Sequence, residues 1–183
     1  MRHRLMIGGI ALLLLHASAR PAHGAGAPSL ALERSRAAAF RIRTVEGDAL
    51  SLEKLLAAGP VVLDFWATWC HPCLAELPEL ETLHQRYRGR GLTVIGISED
   101  GPRNFARVRP LAARLGITFP VVLDQDGRLQ QLYQVGALPT TVLIDTAGTI
   151  VTVREGYRPG DTRRLETAIE MLISPPLVEA PKR

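Results

Sequence analysis

All the sulfur nucleophiles in this chain are Cys70 and Cys73, its only two cysteines, set in the run Cys70-His71-Pro72-Cys73. An apolar run, Asp64-Phe65-Trp66-Ala67-Thr68-Trp69, precedes them, and a helix-like run beginning Leu74-Ala75-Glu76-Leu77 follows. Two thiols two residues apart, where a strand hands over to a helix, form and break a disulfide with little backbone motion. Two other readings of the pair are weaker. As a structural staple it would close a ring worth about 2 kcal/mol in the entropic account, against about 4.7 for a loop of roughly one hundred residues. As half of a zinc site it would need further ligands. Beyond residue 24 the only histidines are His71, which lies between the two sulfurs, and His84.

Position divides the labour between the two thiols. A helix N-terminus favours negative charge through its free N–H groups and macrodipole, so Cys70 is the thiol that ionises and attacks. Cys73, one turn further in, then attacks the sulfur of Cys70 in a mixed disulfide and releases the reduced partner.

The elements that must position this pair follow from periodicity. Phe40 to Ser51 alternates about Gly47-Asp48, predicting a small hairpin that leads into a short helix over Leu52 to Ala57. Val61 to Ala67 is apolar on both faces except at Asp64, the pattern of a strand buried on both sides. After the cysteines, Leu77, Leu80, Leu83 and Tyr87 recur at helical spacing, with Pro72 tolerated in the first turn, Pro78 expected to kink the helix, and Gly89 and Gly91 ending it. Thr93 to Ile97 and Val121 to Leu123 read as strands on either side of a helix over Arg103 to Leu115, which Pro110 should kink or split and Gly116 should cap. A short helical segment, Leu129 to Tyr133, leads to two strands, Thr140 to Ile144 and Ile150 to Arg154, around a turn at Asp145 to Gly148. A last helix places Leu165, Ala168, Ile169 and Leu172 on one face behind Asp161 as its N-cap. This alternation predicts an α/β domain over residues 40 to 173: a mixed, mainly parallel sheet with helices on both faces, ending in an antiparallel hairpin.

The ends carry different information. Met1-Arg2-His3-Arg4, then eleven uncharged residues from Leu5 to Leu15, then small residues through Gly24, read as a secretory signal peptide over 1 to 24, cut after Ala19 or preferably Gly24. The apolar run is well short of the roughly 20 residues of a spanning helix, so an uncleaved membrane anchor is the weaker reading. Residues 25 to 39 read as a linker or short helical extension, and residues 174 to 183, with three prolines, as a disordered tail. Three of the 22 basic residues, and none of the 18 acidic ones, fall in the leader, so the net charge drops from +4 to +1 without it. The basic balance therefore belongs to the leader and does not indicate nucleic-acid binding.

Phe65-Trp66-Ala67-Thr68-Trp69-Cys70-His71-Pro72-Cys73, together with Pro78 and Leu138-Pro139-Thr140-Thr141, resembles the thioredoxin superfamily, and more narrowly its exported TlpA/ResA-like disulfide reductases, from about Phe40 to Ile173. The resemblance implies a thioredoxin-like fold with a helix and strand inserted before the proline loop, where Arg103 to Asp124 fits. It implies a cis Pro139 beside the disulfide and a Leu138 backbone that pairs with the substrate chain. Asp64 matches the buried acid that thioredoxins carry beneath their disulfide, a place where many TlpA-like proteins have Asn. In an apolar strand its pKa rises, which suits it to exchange a proton with Cys73; the alternative is an acid that only hydrogen-bonds at a strand end. Glu76 matches an acid that ResA-like proteins hold near the active site, on the helix face of Cys73; the alternative is a solvated first-turn glutamate. Carrying both acids departs from either pattern and leaves open which one manages the proton. His71 also departs from the family. A protonated imidazole beside Cys70 would stabilise the thiolate and raise the reduction potential, whereas an exposed histidine would do little. Trp66 and Trp69 are expected to pack around the disulfide as core and rim, with any part of Trp69 in partner docking secondary.

These residues predict an exported, periplasmic thiol-disulfide oxidoreductase that needs no cofactor or metal. The resemblance adds its partners: client proteins with disulfides, apocytochrome c among them, and an inner-membrane thiol as electron donor. Net oxidation or isomerisation of secreted proteins is the rival within the same chemistry. A thiol peroxidase would need a threonine three positions before its cysteine, where this chain has Ala67. A copper carrier of related fold would need one more residue between the cysteines.

Overall fold

The structure, a computed structural model, describes residues 32–173; the expected leader, the first part of the expected linker and the expected tail lie outside the described residues. Strands β1 (Arg41–Arg43) and β2 (Ala49–Ser51) pair antiparallel as the predicted hairpin, and Ser51 caps helix α1 (Leu52–Ala58) by accepting from the Lys54 N–H. Then follow β3 (Val61–Trp66), α2 (His71–Tyr87) with a 3-10 turn over Arg88–Arg90, β4 (Thr93–Ser98), α3 (Phe105–Arg114), β5 (Val121–Leu123), α4 (Arg128–Leu132), β6 (Thr140–Ile144), β7 (Ile150–Glu155) and α5 (Asp161–Ile173).

The main sheet has the order β5-β4-β3-β6-β7. All six residues of the central β3 are buried, as two-sided apolar patterning requires. Val62 and Trp66 face a core packed with Leu77, Leu80, Val108, Leu165 and Ile169, whereas Leu63 and Phe65 face one built with Phe40, Leu52, Leu129 and Tyr133. Only half of the sheet is parallel: β3–β4 and β4–β5 are parallel ladders, but β6 runs antiparallel to both β3 and β7. The expectation of a mainly parallel sheet rested on the alternation of strands and helices, and α4 breaks that pattern. Its five residues span only about 7.5 Å, too little to return the chain to the starting end of the sheet.

Pro78 and Pro110 both lie inside helices that run through them, so Pro110 does not split α3. Asp161 sits one place inside α5 instead of capping it, and its carboxylate accepts the Arg158 N–H at 2.8 Å and faces Arg154. Residues 34 to 37 of the expected linker pair with the β6–β7 turn, through Arg34 N–H to Ile150 C=O and Ala37 N–H to Gly148 C=O.

Candidate active site

The chain leaves β3 at its C-terminal end and turns through residues 67 to 70 into α2. That turn is tied down from a neighbouring strand. Asp100, buried just after β4, accepts the Thr68 N–H at 2.8 Å and the Thr68 hydroxyl at 2.6 Å, and also the Ser98 hydroxyl at 3.0 Å. Cys70 is the residue that caps α2, its sulfur accepting the Cys73 N–H at 3.3 Å. The two cysteines are joined as a disulfide with Cα atoms 5.3 Å apart. Cys73 is fully buried and Cys70 is 5% exposed, whereas His71 and Pro72 are exposed and Trp69 is 59% exposed.

The Leu138–Pro139 peptide bond is cis. The Pro139 carbonyl accepts the Gly156 N–H at 2.7 Å, which ties this loop to the end of β7. Among the described residues neither backbone group of Leu138 enters a backbone hydrogen bond, and its side chain is half-buried. Trp66 is buried and Trp69 stands at the rim, as their positions in the motif suggested. A surface groove of about 530 Å³, lined by Phe40, Arg43, Asp124 and Arg128 among others, contains none of these residues. The disulfide is flanked instead by the exposed Trp69, His71 and Pro72.

Beneath the rim lies a polar row inside the core. Asp64 on β3 is the register partner of Thr141 on β6, and Thr141 is the partner of Arg154 on β7. Glu76 comes down onto this row from α2, one turn after Cys73. Its carboxylate is ion-paired with Arg154 and accepts the Thr141 hydroxyl at 3.0 Å. Both acids are fully buried, so Glu76 is not a solvated first-turn residue and Asp64 is not at a strand end. Burial, and then the charge of Glu76, push the Asp64 carboxyl well above the usual range, against the smaller opposing pull of Arg154 and Thr141. Burial also raises Glu76, but Arg154 opposes this directly.

The structure therefore brings Asp64 and Glu76 together with two residues that motif reading gave no role, Thr141 and Arg154. A signal for Arg154 was available. A lone arginine in Ile150–Glu155 becomes a neighbour of the Asp64 row once the turn after β6 fixes the register. Asp100 carried no local signal, because the contact that gives it meaning is with Thr68, 32 residues away.

A redox-active Cys70–Cys73 pair at a helix N-terminus, together with a cis-proline loop on a mixed five-stranded sheet, defines a thioredoxin-superfamily thiol-disulfide oxidoreductase. Residues 34–153 match the AhpC/TSA family, and the chain belongs to that family. Within it the similarity runs to ResA-type proteins. The thiol-disulfide oxidoreductase ResA of Halalkalibacterium halodurans is 34% identical over 147 residues, 80% of each chain. ResA of Bacillus subtilis is 35% identical over 124 residues, 68% of each chain. Among solved structures, a putative thiol:disulfide interchange protein DsbE from Chlorobium tepidum superimposes with a TM-score of 0.71 at 28% identity, covering 78% of this chain and 98% of that one. The protein is an enzyme that exchanges its Cys70–Cys73 disulfide with those of client proteins. Thr68, two positions before Cys70, has both its N–H and its hydroxyl committed to Asp100.

Proposed function

We propose that the protein is an exported reductase of client disulfides, fed with electrons by an inner-membrane thiol donor. The observation that carries this is the arrangement at α2: the Cys70–Cys73 disulfide on the helix N-terminus beside the exposed Trp69, His71 and Pro72, with the fully buried Cys73 one turn before Glu76, which shares Thr141 with Asp64. The ResA relatives support the reading, and haem-attachment cysteines of apocytochrome c are one client class that fits it.

In the reduced protein the Cys70 thiolate attacks a client disulfide. A Cys70–client mixed disulfide forms and one client thiolate leaves, taking a proton from solvent. Cys73 then gives its proton to the buried acid pair, attacks Cys70 Sγ and expels the second client thiolate. Two electrons pass to the client and the Cys70–Cys73 disulfide returns. The exposed rim of Trp69, His71 and Pro72 would meet the client, and the free backbone of Leu138 beside Pro139 would pair with its chain.

The test is the reduction potential of the Cys70/Cys73 couple against glutathione or dithiothreitol mixtures, with His71→Gly alongside. A value at or below about −220 mV supports a reductase, whereas one near about −120 mV makes the protein an oxidant and removes the cytochrome reading. If His71 raises the potential by stabilising the thiolate, His71→Gly lowers it.

A further inference from the structure

The acid pair is served by one cation, and the cation is not shared evenly. Arg154 Nη2 is ion-paired with Glu76 Oε1 and donates to Thr141 Oγ1 at 2.7 Å, while Nη1 lies 3.4 Å from Asp161 Oδ2. Among the described residues Arg154 forms no ion pair with Asp64. Thr141 stands 3.0 Å from Glu76 Oε1 and 3.5 Å from Asp64 Oδ1. A hydroxyl has one proton to give, and with the Arg154 N–H arriving from the other side, the short contact directs that proton to Glu76. Glu76 Oε1 then receives both donors and Asp64 Oδ1 keeps only the long Thr141 contact, while the second oxygen of each acid, Asp64 Oδ2 and Glu76 Oε2, is buried without a partner. An ionised carboxylate at Asp64 would be a buried charge with only that long contact to satisfy it. A protonated one gives its own O–H to the row.

We propose that Arg154 is a positioning residue for the exchange reaction: with Thr141 it holds Glu76 as the carboxylate and so makes Asp64 the group that carries the exchangeable proton. This rests on the reading of the acid pair as the proton store for Cys73. In the oxidised protein the proton is on Asp64. On reduction Cys73 leaves the disulfide as a thiolate and takes that proton, and on oxidation by a client the proton returns to Asp64 as Cys73 attacks Cys70. Nothing else needs to be gained or lost at the site. The charged and titratable groups facing the pair are Arg154 from β7, Asp161 from α5, and Tyr157, which follows β7 and is hydrogen-bonded to Glu79 of α2 at 2.6 Å.

Infrared spectra of the oxidised protein at pH 7 test this through the C=O stretch of protonated carboxyl groups. A Glu99→Gln background removes the other carboxyl that burial lifts into this range. The expected spectrum holds a band that shifts with carboxyl-13C aspartate, does not shift with carboxyl-13C glutamate, and is lost in Asp64→Asn. Arg154→Gln should add a glutamate-sensitive band, and Arg154→Lys should not. A glutamate-sensitive band in the parent protein, or no aspartate band at all, overturns the assignment. So does an Arg154→Gln spectrum identical to the parent's. The isotope comparison needs no change at Arg154, so it decides the proton's place even if Arg154→Gln does not fold. No client or donor is present, so an oxidising potential would sink the reductase reading and leave this assignment standing.

Discussion

At the scale of single residues the two sulfurs differ in surroundings more than in exposure. Cys70 takes an N–H from the start of α2, while Cys73 is fully buried one turn before Glu76. Replacing the resolving thiol should therefore separate attack from release. Cys73→Ser is expected to accumulate a covalent complex with a disulfide substrate and to lose turnover, and Cys70→Ser should form no complex; non-reducing gels after acid quenching distinguish them. Glu99 offers a second residue-scale consequence. Burial, and then the charges of Asp124 and Asp100, push its carboxyl up to about 8 from an ordinary 4.5. Between those two values the folded protein holds a proton that the unfolded chain has released. This contribution to stability is full below 4.5 and is lost as pH rises through about 8. Glu99→Gln, which does not titrate, should gain in melting temperature over the parent as pH rises from 5 to 8, with the difference constant above about 9. Parallel melting curves at several pH values would show it, and a difference independent of pH would refute it.

At the scale of elements, the loop that carries Cys70 depends on β4 through a single side chain. Asp100→Ala leaves the Thr68 N–H and hydroxyl and the Ser98 hydroxyl without their acceptor. Hydrogen bonds to a charged group contribute roughly 1.5–3 kcal/mol each, so a loss of at least about 3 kcal/mol in denaturant unfolding is expected, with faster amide exchange at Thr68. Gly59 and Gly91 make a second such junction, where the turn after α1 crosses the turn before β4. A Cβ on Gly91 would lie 2.5 Å from the Ala58 carbonyl oxygen at φ +97°, and one on Gly59 2.3 Å from that of Gly91. Both neighbours are backbone and cannot swing away, so Gly91→Ala should cost at least about 1–3 kcal/mol by the same assay. Elements of this kind were legible in the sequence to an uneven degree. Buried β3, the capped start of α2 and the cis-proline loop each leave a local mark in residue type and spacing. The direction of β6 does not, because periodicity records which face a strand buries and not which way it runs. The same holds for the site. The cysteines announce themselves, whereas Arg154 gains meaning once the β6–β7 register sets it beside Thr141, and Asp100 only through a partner 32 residues away.

At the scale of the whole molecule, the acid pair sets stability against catalysis. Asp64 is fully buried on the central strand, where burial and the Glu76 charge raise its pKa well above the ordinary 3.8. Above that ordinary value folding therefore takes up a proton. The stability tied to this group is complete below its unfolded value and declines as pH rises, until Asp64 ionises in the folded protein as well. Asn has nearly the same shape, carries no charge and keeps a donor for Thr141. Asp64→Asn is thus expected to be more stable than the parent at pH 7, by a margin that widens with pH and vanishes near pH 3. In the proposed mechanism the same change removes the acceptor for the Cys73 proton. General acid-base assistance contributes roughly 10²–10⁴-fold, so release of the mixed disulfide should slow by about a hundredfold, while attack by Cys70 proceeds as before. Stopped-flow oxidation of the reduced protein by a chromogenic disulfide reads both steps, the first chromophore marking attack and the second marking resolution. A variant that is more stable, attacks normally and resolves slowly would show that the buried acid is kept for proton transfer at the expense of the fold. If resolution were unchanged, Asp64 would be a structural acid and the proton would have another carrier.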